Sequence, residues 1–149
     1  MLDNALRFLK AHNEVAFATS EGDFPKLRIL QVMRQEGHVL YFSIPADGSV
    51  CRELQNNPNV EILSCTDNVS VRCSGMVNFN VEDSMKRWIY DNNSALSRQY
   101  ASYDKLEYFC LPIAEVDFCD RSCTPPSLLH FDLIAGSYCR EAMQRMIFY

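Results

Sequence analysis

No run of lysine or arginine occurs anywhere in these 149 residues, and the formal charge is −5. A surface that grips nucleic-acid phosphates needs clustered cations, so that class of partner is excluded. Also missing is any apolar run approaching the roughly 20 residues that a membrane-crossing helix needs. No Gly-rich phosphate loop, no nucleophile elbow and no pair of histidines at metal-ligand spacing is present. Without repeats, low-complexity tracts or linker-like stretches, a single domain over 1–149 is expected, with 121–149 as a C-terminal extension. The N-terminal MLDNALRFLKAHNE mixes acids and bases among its apolar residues and does not read as a secretory signal. The expected location is the cytoplasm, with no membrane partner.

What is there is ordinary globular material: 48% apolar and 22% charged residues, in a chain long enough to bury a core without staples. The seven cysteines are odd in number, and Cys65, Cys73 and Cys110 fall at apolar strand positions. They read as reduced, buried small hydrophobes. A zinc site from Cys119, Cys123, His130 and Cys139 is rejected, because only the first two have the tight spacing that structural zinc requires. His12, His38 and His130 sit at expected element ends and read as surface residues, and Glu82-Asp83 reads as helix N-terminal charge.

The most informative stretch is 15–44, VAFATSEGDFPKLRILQVMRQEGHVLYFSI. A period of two predicts strands over 15–19, 26–34 and 38–44, joined by short turns. In the middle strand Leu27, Ile29, Gln31 and Met33 share one face, while Arg28, Leu30, Val32 and Arg34 share the other. A short helix precedes this stretch, with Leu2, Leu6 and Leu9 on one side, and another spans 49–57 until Asn57-Pro58 stops it. Further strands are expected over 60–65, 69–80, with Gly75 marking a bend, and 106–120, with an interruption possible at Pro112. Between them, 83–91 reads as a helix with Met85, Trp88 and Ile89 on its buried face. An edge strand over 128–133 and helical spacing over 138–148 complete the chain. Six or seven strands in meander order with flanking short helices predict a mainly β, antiparallel barrel.

Several residues carry a resemblance: Pro25-x-x-Arg28, then Leu40-Tyr41-Phe42-Ser43-Ile44, a short helix ending Asn57-Pro58-Asn59-Val60, and Val71-Arg72-Cys73-Ser74-Gly75. In this order, over about three-quarters of the chain, the sequence resembles the pyridoxamine 5'-phosphate oxidase-like family of FMN-binding split β-barrels. The resemblance implies a homodimer with FMN in the cleft between subunits and a small-molecule substrate undergoing oxidation or reduction. It implies that Arg28 holds the FMN phosphate, and that Ile29, Leu30 and Gln31 pass along the ring. It also implies that Phe42, Ser43 and Ile44 end the neighbouring strand, and that Ser49, Val50, Cys51 and Arg52 form the second phosphate anchor. No catalytic acid or base is nominated. Haem or a deazaflavin are the less favoured cofactors.

Val50 stands where the family's phosphate lysine falls, and Ser70 where a glutamine is frequent. A charged hydrogen bond to phosphate is worth roughly 1.5–3 kcal/mol. Its loss weakens affinity by about ten- to a hundredfold. Arg52 and the free N–H groups of the helix start are the candidate substitutes. Two other readings stay open. An arginine on a strand is ordinarily a surface residue paired with an acid, and the whole chain can be a split barrel that binds a ligand or partner without turnover.

Overall fold

A computed structural model of the chain describes residues 1–142. Helix α1 (Leu2–Ala11) opens it, followed by β1 (Glu14–Glu21), β2 (Phe24–Gln31), β3 (Arg34–Glu36) and β4 (Val39–Pro45). Helix α2 (Ser49–Asn56), β5 (Asn59–Cys65) and β6 (Val69–Met76) come next. Helices α3 (Asp83–Asp91) and α4 (Ser94–Gln99) precede the long β7 (Leu106–Asp120), and β8 (Ser127–Asp132) and β9 (Ser137–Ala142) follow. All pairings are antiparallel in one nine-stranded sheet of order β2-β1-β5-β6-β7-β4-β3, with β8 added to β7 and β9 to β8.

Two long segments curl this sheet into a split barrel by changing partners midway. The stretch 24–36 pairs first with β1 as β2, then with β4 as β3. The switch occurs at one step: the Val32 N–H donates to the Asn13 carbonyl, and the next N–H, of Met33, donates to the Tyr41 carbonyl. Strand β7 behaves likewise. Its first half pairs with β4, and its second half lies between β6 and β8. The expected interruption at Pro112 is absent, since β7 runs through it.

Inside the curl, Phe42 and Phe109 stack at 5.1 Å between ring centres, with Phe17 edge-on to Phe42 at 5.2 Å. Ala5 and Leu9 of α1, and Cys51 and Leu54 of α2, are buried in the same core. A second apolar layer lies outside the curl, where Ile89 and Leu96 meet Leu106, Tyr108 and Cys110. Strand β7 is thus buried on both faces, which explains its nearly continuous apolar run. At Ser74/Gly75 the register slips by one residue, leaving Ala114 as a bulge, and Gly75 lies against β7 there.

The structure revises several expectations. Nine strands replace six or seven, because the predicted strand over 26–34 is two and an extra one ends the described chain. Residues 137–142 form β9 where helical spacing was read; the rest of that predicted helix lies outside the described residues. Strand β8 is consequently covered by β9 and is not an edge, and its Leu129 and Phe131 are buried in the main core. Cys73 and Cys110 are buried as expected, but Cys65 is exposed. Trp88 is also largely exposed, with the Arg34 guanidinium 4.2 Å above its ring. His130 is not at an element end: it is half-buried within β8, its Nδ1 2.6 Å from Asp117 Oδ1, and Arg72 donates to the same carboxylate at 2.9 Å.

Candidate functional site

The partner switch at Val32–Met33 leaves a gap on one side of the barrel. Among the described residues, β2 bonds only to β1 up to that step, and beyond Tyr41 β4 bonds only to β7. In an extended strand, successive residues send their N–H and C=O to opposite edges. Because Val32 bonds toward β1, the backbone groups of Ile29 and Gln31 lie on the open edge; because Tyr41 bonds toward β3, so do those of Ser43. Unpaired backbone groups at such a place need water or a ligand. Ser43 also has a buried hydroxyl without a hydrogen-bond partner among the described residues.

Helix α2 packs against β1 and β4. Gly48 enters it with extended backbone, and Asn57 leaves it the same way, just before Pro58. No side chain caps its start, so the N–H groups of Ser49, Val50 and Cys51 lack intrahelical partners. The Arg52 N–H already bonds the Gly48 carbonyl.

Arg28 points inward from β2, level with Phe17, and is only 20% exposed. Its Nη2 donates to Glu53 Oε1 at 2.7 Å and its Nη1 to Thr19 Oγ1 at 2.9 Å. The Thr19 hydroxyl donates to the same Glu53 oxygen at 2.5 Å. Glu53 is 3% exposed. Burial pushes its carboxyl upward, but the Thr19 and Arg28 hydrogen bonds and the Arg28 charge outweigh it, and its pKa lies below the usual carboxylate range. Two of the five guanidinium N–H donors are thereby used, and among the described residues the others have no hydrogen-bond partner.

The remaining expected site residues divide into two groups. Leu30 is half-buried against the core, and Phe42, Ile44 and Cys51 are core side chains; by the same alternation the backbone groups of Leu30 turn to β1 and those of Phe42 and Ile44 to β7, so of these only Cys51 keeps a backbone N–H for a ligand, at the helix start. Burial also pushes the Cys51 thiol up, away from the reactive thiolate. Ser49, Gln31 and Arg52 are exposed and Val50 is half-buried. Arg52 points away from the core, its Nη2 3.3 Å from Glu21 Oε2. Sequence reasoning missed Glu53 and Thr19. The signal for Glu53 was present: three residues after Val50 and directly before Leu54, it lies on the apolar face of α2, where an acid requires a cation.

The donor set fits a flavin nucleotide. An anionic tail suits the free Arg28 donors and the first turn of α2. A flat, polar-edged ring suits the two open strand edges and the unsatisfied Ser43 hydroxyl. Among the described residues, no cluster of three or more His, Cys, Asp or Glu side chains is placed to hold a metal. No described helix is long and apolar enough to cross a membrane.

No protein-family model matches this sequence, and neither does any curated protein. Solved structures do match. A protein related to general stress protein 26, of the pyridoxinephosphate oxidase family, from Clostridium acetobutylicum superposes with a TM-score of 0.74 at 12% identity, covering 91% of this chain and 96% of that one. A pyridoxamine 5'-phosphate oxidase-related, FMN-binding protein from Nostoc punctiforme gives 0.67 at 13% identity, covering 95% and 93%. A haem-binding protein from Mycobacterium smegmatis gives 0.61 at 16% identity, covering 76% and 52%. The chain therefore has a split β-barrel fold. More particularly, its fold is like that of solved pyridoxamine 5'-phosphate oxidase-related proteins, and the structures it resembles include an FMN-binding protein and a haem-binding protein.

Proposed function

We propose that this protein binds FMN in the gap between β2 and β4 and acts as a flavin-dependent oxidoreductase on a small molecule. The observations that support this reading are the Arg28 guanidinium joined to α2 through Glu53, the uncapped start of that helix, and the unpaired edges of β2 and β4 among the described residues. Arg28 and the N–H groups of Ser49, Val50 and Cys51 would hold the phosphate. The backbone of Ile29, Gln31 and Ser43 would orient the ring. The flavin, when bound, supplies two-electron redox chemistry. The chain's part is to bind, orient and exclude water, and no side chain at the gap is assigned as acid or base. Titration of purified protein with FMN should quench flavin fluorescence and saturate at one flavin per chain. Protein that takes up no FMN would overturn the reading in favour of a non-catalytic binding barrel, which Val50, apolar at the anchor, already favours. A Soret band in the purified protein would instead assign haem.

The same reading includes a homodimer with the cofactor at the subunit interface. Leu27 and Ile29 are 72% and 66% exposed on the outer face of β2, and the register sets Ala16 beside Ile29 and Leu63 beside Ala16. A contiguous apolar patch of this kind on a sheet face is unusual for a monomer. Substituting Ile29→Asp leaves the core untouched and should convert the dimer to monomer in sedimentation or light-scattering measurements. A wild-type monomer, or a variant that remains fully dimeric, would remove this face from the interface.

A further inference from the structure

The buried carboxylate beside Arg28 has a consequence for what the cleft tolerates. We infer that Glu53 is the specificity-determining residue of this site: a fixed counter-charge that halves the pull of Arg28 on a phosphate and makes FMN an exchangeable ligand instead of a permanently held one. The inference rests on the reading of the gap as a flavin site.

Both arginines of the anchor are paired with an acid, and the charge of Lys26 also reaches Glu53. Arg28 is bound to Glu53 at 2.7 Å, and Arg52 lies 3.3 Å from Glu21. The first three residues of α2 are Ser49, Val50 and Cys51, so no cation sits at the helix start. A phosphate dianion entering here meets a guanidinium whose charge is already partly offset by a carboxylate 2.7 Å from it. Glu53 cannot swing away to relieve the repulsion. It is 3% exposed, its neighbours Cys51 and Leu54 anchor that face of α2 in the core, and Thr19 holds the carboxylate from β1. Nor is it neutral near pH 7, since its hydrogen bonds favour the ionised form. The apolar body of the ligand, pressed between the open strand edges, must then supply most of the affinity.

The experiment compares Kd values for FMN and riboflavin, which differ only in the phosphate, by fluorescence quenching. For the wild type, FMN should bind no more than about tenfold tighter than riboflavin. Glu53→Gln, which keeps the hydrogen bonds and removes the charge, should widen that ratio by at least about tenfold with riboflavin affinity unchanged. Val50→Lys adds a cation at the helix start without touching the buried pair and should widen it similarly, which checks that the phosphate lies there; the wild-type ratio decides the matter if Glu53→Gln melts before binding can be read. A ratio that narrows in Glu53→Gln would make Glu53 a holder of Arg28 and overturn the inference, as would a ratio unchanged in that variant. Wild-type protein that binds neither flavin overturns the flavin reading itself, and the inference with it. Tight FMN binding with a large wild-type ratio overturns the inference alone.

Discussion

Substituting Arg28→Ala should lower FMN affinity at least about tenfold and, at the same time, destabilise the fold by about 3 kcal/mol at neutral pH. Both effects follow from one event. Removing the guanidinium withdraws the phosphate's main donor and leaves the Glu53 carboxylate buried beside Thr19 with no cation. FMN should then bind more weakly than riboflavin, because the phosphate faces an uncompensated negative charge. The stability cost is placed at the lower end of the range for broken buried pairs because Arg28 is 20% exposed, so water can reach Glu53 once the side chain is gone. A chain of this size loses about 2–4 °C of Tm per kcal/mol, so a fall of about 6–12 °C is expected.

The pH dependence provides a check on the cause. In the wild type the Glu53 pKa is lowered, so the stability it contributes is fully present above the unfolded value and is lost as pH falls through the folded value. In Arg28→Ala, burial is left to dominate and the folded pKa rises, so protonation stabilises the variant as pH falls. The gap between the two should therefore begin to narrow above the ordinary glutamate value of about 4.3, as the variant protonates, and narrow further below it, as the wild type loses its pair. A gap that stays constant from pH 7 to pH 3.5 would show that the destabilisation comes from lost packing, not from the unpaired carboxylate.

Gly75→Ala is the second large effect. A Cβ at this position would lie 2.6 Å from the Pro112 carbonyl oxygen and 2.9 Å from Leu111 Cδ1. The first of these is backbone in the middle of the sheet and cannot turn aside. Either β6 and β7 separate at the bulge or Leu111 leaves its place in the main core. Strain of this kind costs about 1–3 kcal/mol, and the backbone contact puts Gly75→Ala at the upper end, with a Tm about 6–12 °C below wild type. Gly37→Ala offers a contrast. It has open space around it but a φ of +58°, so its smaller loss would reflect backbone strain without any clash. Equal melting temperatures for wild type and Gly75→Ala would mean that the bulge can open at no cost.

Alternation alone was enough to place Arg28 on one face of its strand and Leu27 and Ile29 on the other, because side chains in a strand can take only two directions; the fold decides that the Arg28 face is the inner one. It was not enough to divide 24–36 into two pairings, since nothing in the order of residues says where a strand changes neighbours. The C-terminal stretch shows a different limit. Cys139, Ala142 and Met143 satisfy a helical spacing, yet 137–142 adds to the sheet because β8 presents an unpaired edge that this segment can satisfy. Cys65 read as buried from its apolar surroundings, but its side lies on the exposed face of β5.

The amino-acid order by itself determined an antiparallel barrel, the helix that ends at Asn57-Pro58, and an arginine on the strand face opposite Leu27 and Ile29, because each depends on short-range periodicity or on backbone chemistry. Only the tertiary structure decided what that arginine meets. Glu53 is 25 positions away and Thr19 nine, on a helix and a neighbouring strand, and their convergence exists only once β1, β2 and α2 pack together. Electrostatic partnership acts through space and depends on burial, so the same guanidinium reads as a free anchor in the sequence and as half of a buried pair in the fold.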